Sequence, residues 1–139
     1  MKTPIFICIA FFSLQCIFSQ TDKELVEKTI QNYIDGSSYN RLDTLKDAFA
    51  DNATLYLTAR DTFKIFTPSE YVGFFKNRKV GEFNGRIGKI LSCEVYKDIA
   101  TAKAEISNPE QKWVYIDLFL LKKLNGAWKI ISKTATRLQ

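Results

Sequence analysis

Two apolar segments joined by an Asn-Gly pair constrain the fold of this chain more than any other feature. Residues 113–124 and 127–133 are rich in aromatic and branched aliphatic side chains, and Asn125 and Gly126 separate them. A two-residue turn of type I′ requires positive φ at both central positions, which asparagine and glycine tolerate best. The pattern therefore predicts a long β-hairpin over residues 113–133.

The register of this hairpin follows by counting from a two-residue turn. Leu124 lies opposite Ala127, and Asp117 is then predicted to lie opposite Thr134. Because side chains alternate along a strand, one predicted face carries Trp113, Tyr115, Asp117, Phe119, Leu121, Trp128, Ile130, Ser132 and Thr134. The other face carries Val114, Ile116, Leu118, Leu120, Ile131 and Lys133. We expect the face with Trp128 to be the inner one, since a tryptophan among aliphatic residues is typical of a core.

Three helices are predicted from the spacing of apolar residues and from the residues at their ends. The first covers residues 22–35 and is expected to stop at Gly36. The second covers residues 42–49. The third begins after Thr67, which forms the pattern of a capping box with Glu70.

Four further strands are predicted, at residues 54–60, 63–66, 86–97 and 99–107. In the last of these, small and aliphatic residues alternate with polar ones, which predicts one buried face made of Ala100, Ala102, Ala104 and Ile106. The order is therefore helix, helix, strand, strand, helix and four strands. Helices gathered on one face of an antiparallel sheet make an α+β domain.

Three motifs within this order carry a resemblance to a known family. They are Y-I-D-G at residues 33–36, D-A-F-A-D-N-A-T-L at 47–55 and D-L-F-L-L-K-K-L-N-G-A-W-K-I-I-S-K at 117–133. With the element order, they resemble the NTF2-like superfamily and are most similar to its lumazine-binding, SnoaL-like branch. The resemblance implies an α+β cone, with three N-terminal helices packed on a strongly bent antiparallel sheet around a pocket.

Asp117 is the first candidate for a functional residue, because it is expected to point inward among aromatic side chains. Burial disfavours the charged form of a carboxylate unless a partner compensates. Related ketosteroid isomerase and polyketide cyclase enzymes place an acidic residue and tyrosines in this cavity. The resemblance thus implies Asp117 as general acid or base, with Tyr33 or Tyr115 as hydrogen-bond donor. The alternative is a structural Asp117 that accepts hydrogen bonds from Thr134, Ser132, Tyr115 or a backbone N–H.

Residues on the same predicted face would complete a binding site for a small apolar or aromatic ligand. They are Trp113, Tyr115, Phe119, Ser132 and Thr134. Related sequences often carry histidine at the position of Ala50, so the resemblance does not transfer their chemistry intact.

Composition excludes several classes of site. The chain contains no histidine, which excludes Ser-His-Asp and Cys-His catalysis and every histidine-ligated metal centre. We predict neither a metal nor a cofactor. The balance of 20 basic and 15 acidic residues is spread along the chain, whereas nucleic-acid binding requires a concentrated basic face.

The first twenty residues are interpreted as a secretory signal peptide. A short basic start at Lys2 precedes an apolar run over residues 5–14 and a small residue, Ser19. A retained N-terminal anchor is the alternative, and no later run is long enough to cross a membrane. Cleavage would leave one NTF2-like domain over residues 21–139, with Cys93 as its only cysteine, and would place it in the periplasm or outside the cell.

Two functions remain open from the sequence. The first is an exported binding or assembly module that forms a homodimer through the outer sheet face. The second is a small cofactor-independent enzyme of the SnoaL or ketosteroid isomerase kind, which uses an Asp/Tyr pair on an apolar substrate.

Overall fold

The computed structural model describes residues 20–59 and 61–138, which form helices packed against one six-stranded sheet. The elements are α1 (Asp22–Ser38), α2 (Leu42–Asp47), β1 (Phe49–Ala59), β2 (Thr62–Phe66), α3 (Pro68–Val72), a 3-10 turn (Gly73–Phe75), β3 (Ile87–Tyr96), β4 (Ile99–Asn108), β5 (Trp113–Leu124) and β6 (Ala127–Arg137). The signal-peptide prediction falls on residues 1–19, which lie outside the described residues, and on residue 20.

The sheet has the order β2-β1-β6-β5-β4-β3. Its neighbours are antiparallel except β1 and β6, which run parallel. The predicted α+β class is therefore confirmed, whereas the prediction of a purely antiparallel sheet is wrong at that one pairing. The prediction of three N-terminal helices is also inexact, because α3 lies between β2 and β3 and is followed by the 3-10 turn.

Helix α1 extends beyond its predicted end. Its start is capped by Thr21, which forms a capping box with Glu24. Gly36 does not stop the helix, because it is needed for packing: a Cβ there would lie 2.7 Å from the Cα of Leu45 in α2. The turn after the helix instead contains Asn40, whose φ of 55° lies in the left-handed region. Asparagine adopts that region more readily than most residues.

The hairpin of β5 and β6 has the predicted turn but not the predicted register along its whole length. Asn125 and Gly126 both have positive φ, and Leu124 pairs with Ala127. The register then shifts at a β-bulge, where Leu121 pairs with Ile130 but Leu120 pairs with Ser132. The extra residue reverses which face each later side chain of β6 occupies.

Because of the bulge, three placements predicted from the sequence are wrong. Asp117 pairs with Ala135, not with Thr134. Lys133 pairs with Phe119 and is buried, although the sequence pattern placed it on the outer face. Ser132 and Thr134 turn to the outer face instead, and Thr134 is exposed there.

The core lies between α1 and the inner face of the sheet. The alternating face of β4 is buried as predicted, and Trp128 is buried on the inner face. Cys93 is partly buried and makes no disulfide. Within residues 20–59 and 61–138, no helix is both long and apolar enough to span a bilayer.

Candidate functional site

A small cavity opens between the sheet and α3. Its volume is about 170 Å³. Its walls come from strands β1, β2, β4 and β5, from helix α3 and the 3-10 turn after it, and from the loop before β3. The lining residues are Leu57, Thr58, Ala59, Phe66, Tyr71, Phe74, Arg86, Ile106, Tyr115 and Asp117. Most of the wall is thus apolar, and the charged groups are confined to two residues.

Asp117 lies at the inner end of the cavity and is 2% exposed. The Tyr33 hydroxyl donates to its Oδ2 at 2.7 Å, and the hydroxyls of Tyr33 and Tyr71 are also 2.7 Å apart. The prediction that Asp117 points inward beside a tyrosine of α1 therefore agrees with the structure. The role of these side chains in catalysis remains a prediction.

Lys133 supplies a positive charge beside Asp117 that was not predicted from the sequence. Its Nζ lies 3.1 Å from Oδ1 of Asp117, and both side chains are 3% exposed. The same Nζ lies 5.5 Å from the centre of the Tyr71 ring and 5.9 Å from that of Phe119. Removing two charges from water is costly, and close pairing together with cation–π contacts offsets much of that cost.

The hydroxyl protons of the two tyrosines are both used inside this network. Each phenol carries a single proton. Tyr33 gives its proton to Asp117, so the short contact between the two hydroxyls requires Tyr71 to donate to Tyr33. Burial raises the pKa of the Tyr33 hydroxyl well above its usual value, and the charge of Asp117 raises it further. Neither proton is directed toward a ligand in the cavity.

Arg86 is the other charged residue of the cavity. Its guanidinium lies between two aromatic rings, 5.5 Å from the centre of Phe75 and 5.4 Å from that of Trp113. Its Nε is buried and makes no hydrogen bond. Arg86 belongs to none of the ion pairs seen among the described residues.

The loop before β3 fixes the position of Arg86. Asn84 accepts a hydrogen bond from the Arg86 backbone N–H at 3.1 Å. The Asn84 amide donates to Ser37 O at 2.6 Å and to Asn40 Oδ1 at 2.7 Å. Asn40 in turn donates to two carbonyls of the same loop, at 3.0 and 2.8 Å. This asparagine clamp ties the loop to the end of α1 and so holds Arg86 at the cavity.

The predicted binding residues are only partly brought together. Tyr115 lines the cavity. Trp113 stands beside it, with ring centres 5.4 Å apart, and Phe119 is buried against Tyr33 behind the cavity wall. Ser132 and Thr134 lie on the opposite face of the sheet because of the bulge. Thr134 instead donates to Tyr56 O at 2.9 Å.

A wider concavity of about 850 Å³ lies at the far end of the hairpin, between α2 and the β5–β6 turn. Its lining mixes Lys46, Asp47 and Lys129 with turn residues, and Lys129 already pairs with Asp47 at 2.8 Å. It contains no buried charged group. In the part of the chain that the structure describes, no cluster of three or more acidic or cysteine side chains could hold a metal ion.

Comparison with known proteins gives a family and a fold. Residues 21–135 match the model of the family described as "Putative lumazine-binding". Among curated proteins, no sequence matches the chain.

Solved structures share the fold at low sequence identity. An NTF2-like protein of unknown function from Shewanella baltica OS155 is 16% identical, with a TM-score of 0.74 over 87% of this chain and 99% of that one. One from Methylobacillus flagellatus KT is 21% identical, with a TM-score of 0.73 over 87% and 95%. A ketosteroid isomerase-like protein from Erwinia carotovora atroseptica SCRI1043 is 15% identical, with a TM-score of 0.64 over 87% and 99%.

Proposed function

Because the chain belongs to the family described as "Putative lumazine-binding", with an NTF2-like fold, we propose that it is an exported, non-catalytic domain that binds a small molecule between its helices and its sheet. One observation carries the proposal. The cavity of about 170 Å³ combines apolar walls with a few polar groups, as ligand sites do, while the groups suited to acid–base chemistry already bind one another.

The contacts of Asp117 argue against its use as a general base. A base must have an oxygen available to the proton that it abstracts. Oδ1 of Asp117 faces Lys133, and Oδ2 accepts the hydroxyl proton of Tyr33. The negative charge is thus neutralised by protein groups before any substrate enters.

Binding can be tested by calorimetry or ligand-observed NMR with neutral and charged compounds of about the size of benzene. The variant Ala59→Phe adds a ring to the cavity wall and should abolish binding. Thr101→Phe adds the same group on the exposed face of β4 and should leave binding intact. The proposal fails if no compound binds, or if both variants bind as the wild type does.

A second candidate is a cofactor-independent enzyme, and the 2.7 Å contact between Tyr33 and Asp117 favours it. Such an enzyme would abstract a proton next to a carbonyl. NMR would then detect deuterium exchange into cyclohexanone at a rate above that of buffer, and Asp117→Asn and Tyr33→Phe would each abolish the excess. An unchanged rate with the wild-type protein would eliminate this candidate.

Export and dimerisation complete the proposal. The family match begins at residue 21, next to the predicted cleavage site, which supports a domain that starts there. N-terminal mass analysis of protein from the native host tests export, and an intact Met1 on a cytoplasmic species would refute it. The outer sheet face supports a homodimer, because Leu118 and Leu120 are 48% and 42% exposed there.

A further inference from the structure

We propose that Arg86 and the cavity beside it form a binding site for a small organic monocarboxylate. The inference rests on the proposed function, because it names the chemical class of the ligand that the cavity takes. Arginine recognises carboxylates through two parallel N–H groups, and aromatic rings on either side hold its guanidinium in place. Phe75 and Trp113 flank the guanidinium in this way.

The three charged groups around the cavity sum to one net positive charge. Asp117 and Lys133 neutralise each other at 3.1 Å, so the charge of Arg86 is the remainder. Burial lowers the pKa of the Arg86 guanidinium. Electrostatic interactions with Tyr71, Tyr33 and Asp117, together with a hydrogen bond to Tyr33, outweigh that effect, and the pKa lies above its ordinary value. The group therefore stays cationic.

The hydrogen-bonding state of Arg86 is the second observation. A buried polar atom without a hydrogen bond is rare in a folded protein and requires an explanation. The Nε of Arg86 is such an atom, and its residue lines the cavity. A carboxylate bound there would satisfy Nε and neutralise the charge with the same contact.

The walls and volume of the cavity define the rest of the ligand. Phe66, Phe74 and Ile106 face the space beside Arg86, so the body of the ligand is apolar. An apolar protein cavity of about 150 Å³ holds benzene, and this cavity of about 170 Å³ is slightly larger. A single ring with one carboxylate group has the required size and charge.

Asp117 also lines this cavity and would repel an anion if its charge were free. Lys133 and the hydroxyl of Tyr33 bind its two oxygens. The repulsion is reduced accordingly, and the charge that remains on Asp117 favours binding of the anion at the guanidinium rather than beside the carboxylate. The network thus supports selection of a monoanion with its charged end at Arg86.

The test uses benzoate as the anion and benzyl alcohol as its neutral counterpart, measured by calorimetry with the intact domain. We expect benzoate to bind the wild type more tightly than benzyl alcohol does. Arg86→Gln should weaken benzoate binding by about 10- to 100-fold, since a charge-assisted hydrogen bond is lost. Arg86→Lys keeps the charge without the paired N–H groups and should give an intermediate affinity.

Lys89→Gln is the matched control, because it removes one exposed positive charge from β3 near Arg86. It should bind benzoate as the wild type does, and thermal melts establish that each variant is folded. Equal binding of benzoate to wild type and Arg86→Gln would overturn the inference. Binding of benzyl alcohol alone would overturn the inference and leave the proposed function intact. Binding of neither compound at about 10 mM would overturn both.

Discussion

The buried pair of Asp117 and Lys133 allows a quantitative test of how this core is stabilised. Replacing Asp117 with leucine leaves the ammonium group of Lys133 buried among aromatic rings without a carboxylate. Replacing Lys133 with methionine leaves the carboxylate buried without its ammonium partner, with the Tyr33 hydroxyl still donating to Oδ2. Removal of one member of such a pair typically costs about 3–5 kcal/mol.

The double variant Asp117→Leu/Lys133→Met should behave differently, because no charge remains in the core. Its main loss is the acceptor of the Tyr33 proton, which costs about 1–2 kcal/mol. Two single losses of about 3 kcal/mol or more and a double loss of at most about 2 kcal/mol imply a coupling energy of at least about 4 kcal/mol. For a domain of about 119 residues, each single variant should melt about 12–20 °C below the wild type.

Calorimetry and urea unfolding of the four proteins complete the thermodynamic cycle. Lys129→Met is the control, because it removes an exposed pair with Asp47 and should cost about 1 kcal/mol or less. A double variant as unstable as the two single variants combined would refute the reasoning. Single variants that melt within about 4 °C of the wild type would do so as well.

Three further predictions concern the asparagine clamp, the buried tyrosine and the outer sheet face. Asn40→Ala should lower the free energy of unfolding by about 2–4 kcal/mol, because hydrogen bonds are lost and the φ of this position is unfavourable for alanine. A decrease below about 1 kcal/mol, measured by urea unfolding, would contradict this. The pKa of Tyr33 is raised in the folded state above its ordinary value of 10.0, so the free energy of unfolding should fall as the pH rises above that value. Tyr33→Phe should make this decrease with pH smaller. Ile116→Lys should yield a monomer in light scattering, and a monomeric wild type at high concentration would disprove the dimer.

The local chemistry of turns and caps was readable from the sequence. Asn125 and Gly126 gave the hairpin and the pairing next to it, and Thr67 with Glu70 gave the start of α3. The predicted end of α1 at Gly36 was wrong because glycine has two structural uses. It ends helices, and it also allows two helices to approach closely, as it does here with Leu45.

The site was harder to predict because it depends on register and on distant contacts. Asp117 and Tyr33 were found, since an acidic residue on an apolar strand is conspicuous. Lys133 was assigned to the wrong face because the alternating pattern of β6 does not reveal the bulge. Neither Tyr71 nor Arg86 was predicted as a site residue, and Arg86 was expected to begin the strand over residues 86–97, whereas β3 begins at Ile87. Only the clamp between α1 and the loop brings Arg86 to the cavity.

The bulge between Ile130 and Ser132 decides which side chains of β6 reach the interior. If the strand kept its length but paired without the bulge, Leu120 would lie opposite Ile131 and the two faces of β6 would be exchanged beyond that point. Lys133 would then point to solvent, and Ser132 and Thr134 would enter the core, with no substitution at any of these positions. Asp117 would face hydroxyl groups instead of an ammonium group. The same residues can therefore enclose a charged or an uncharged interior, depending on whether β6 pairs with the bulge.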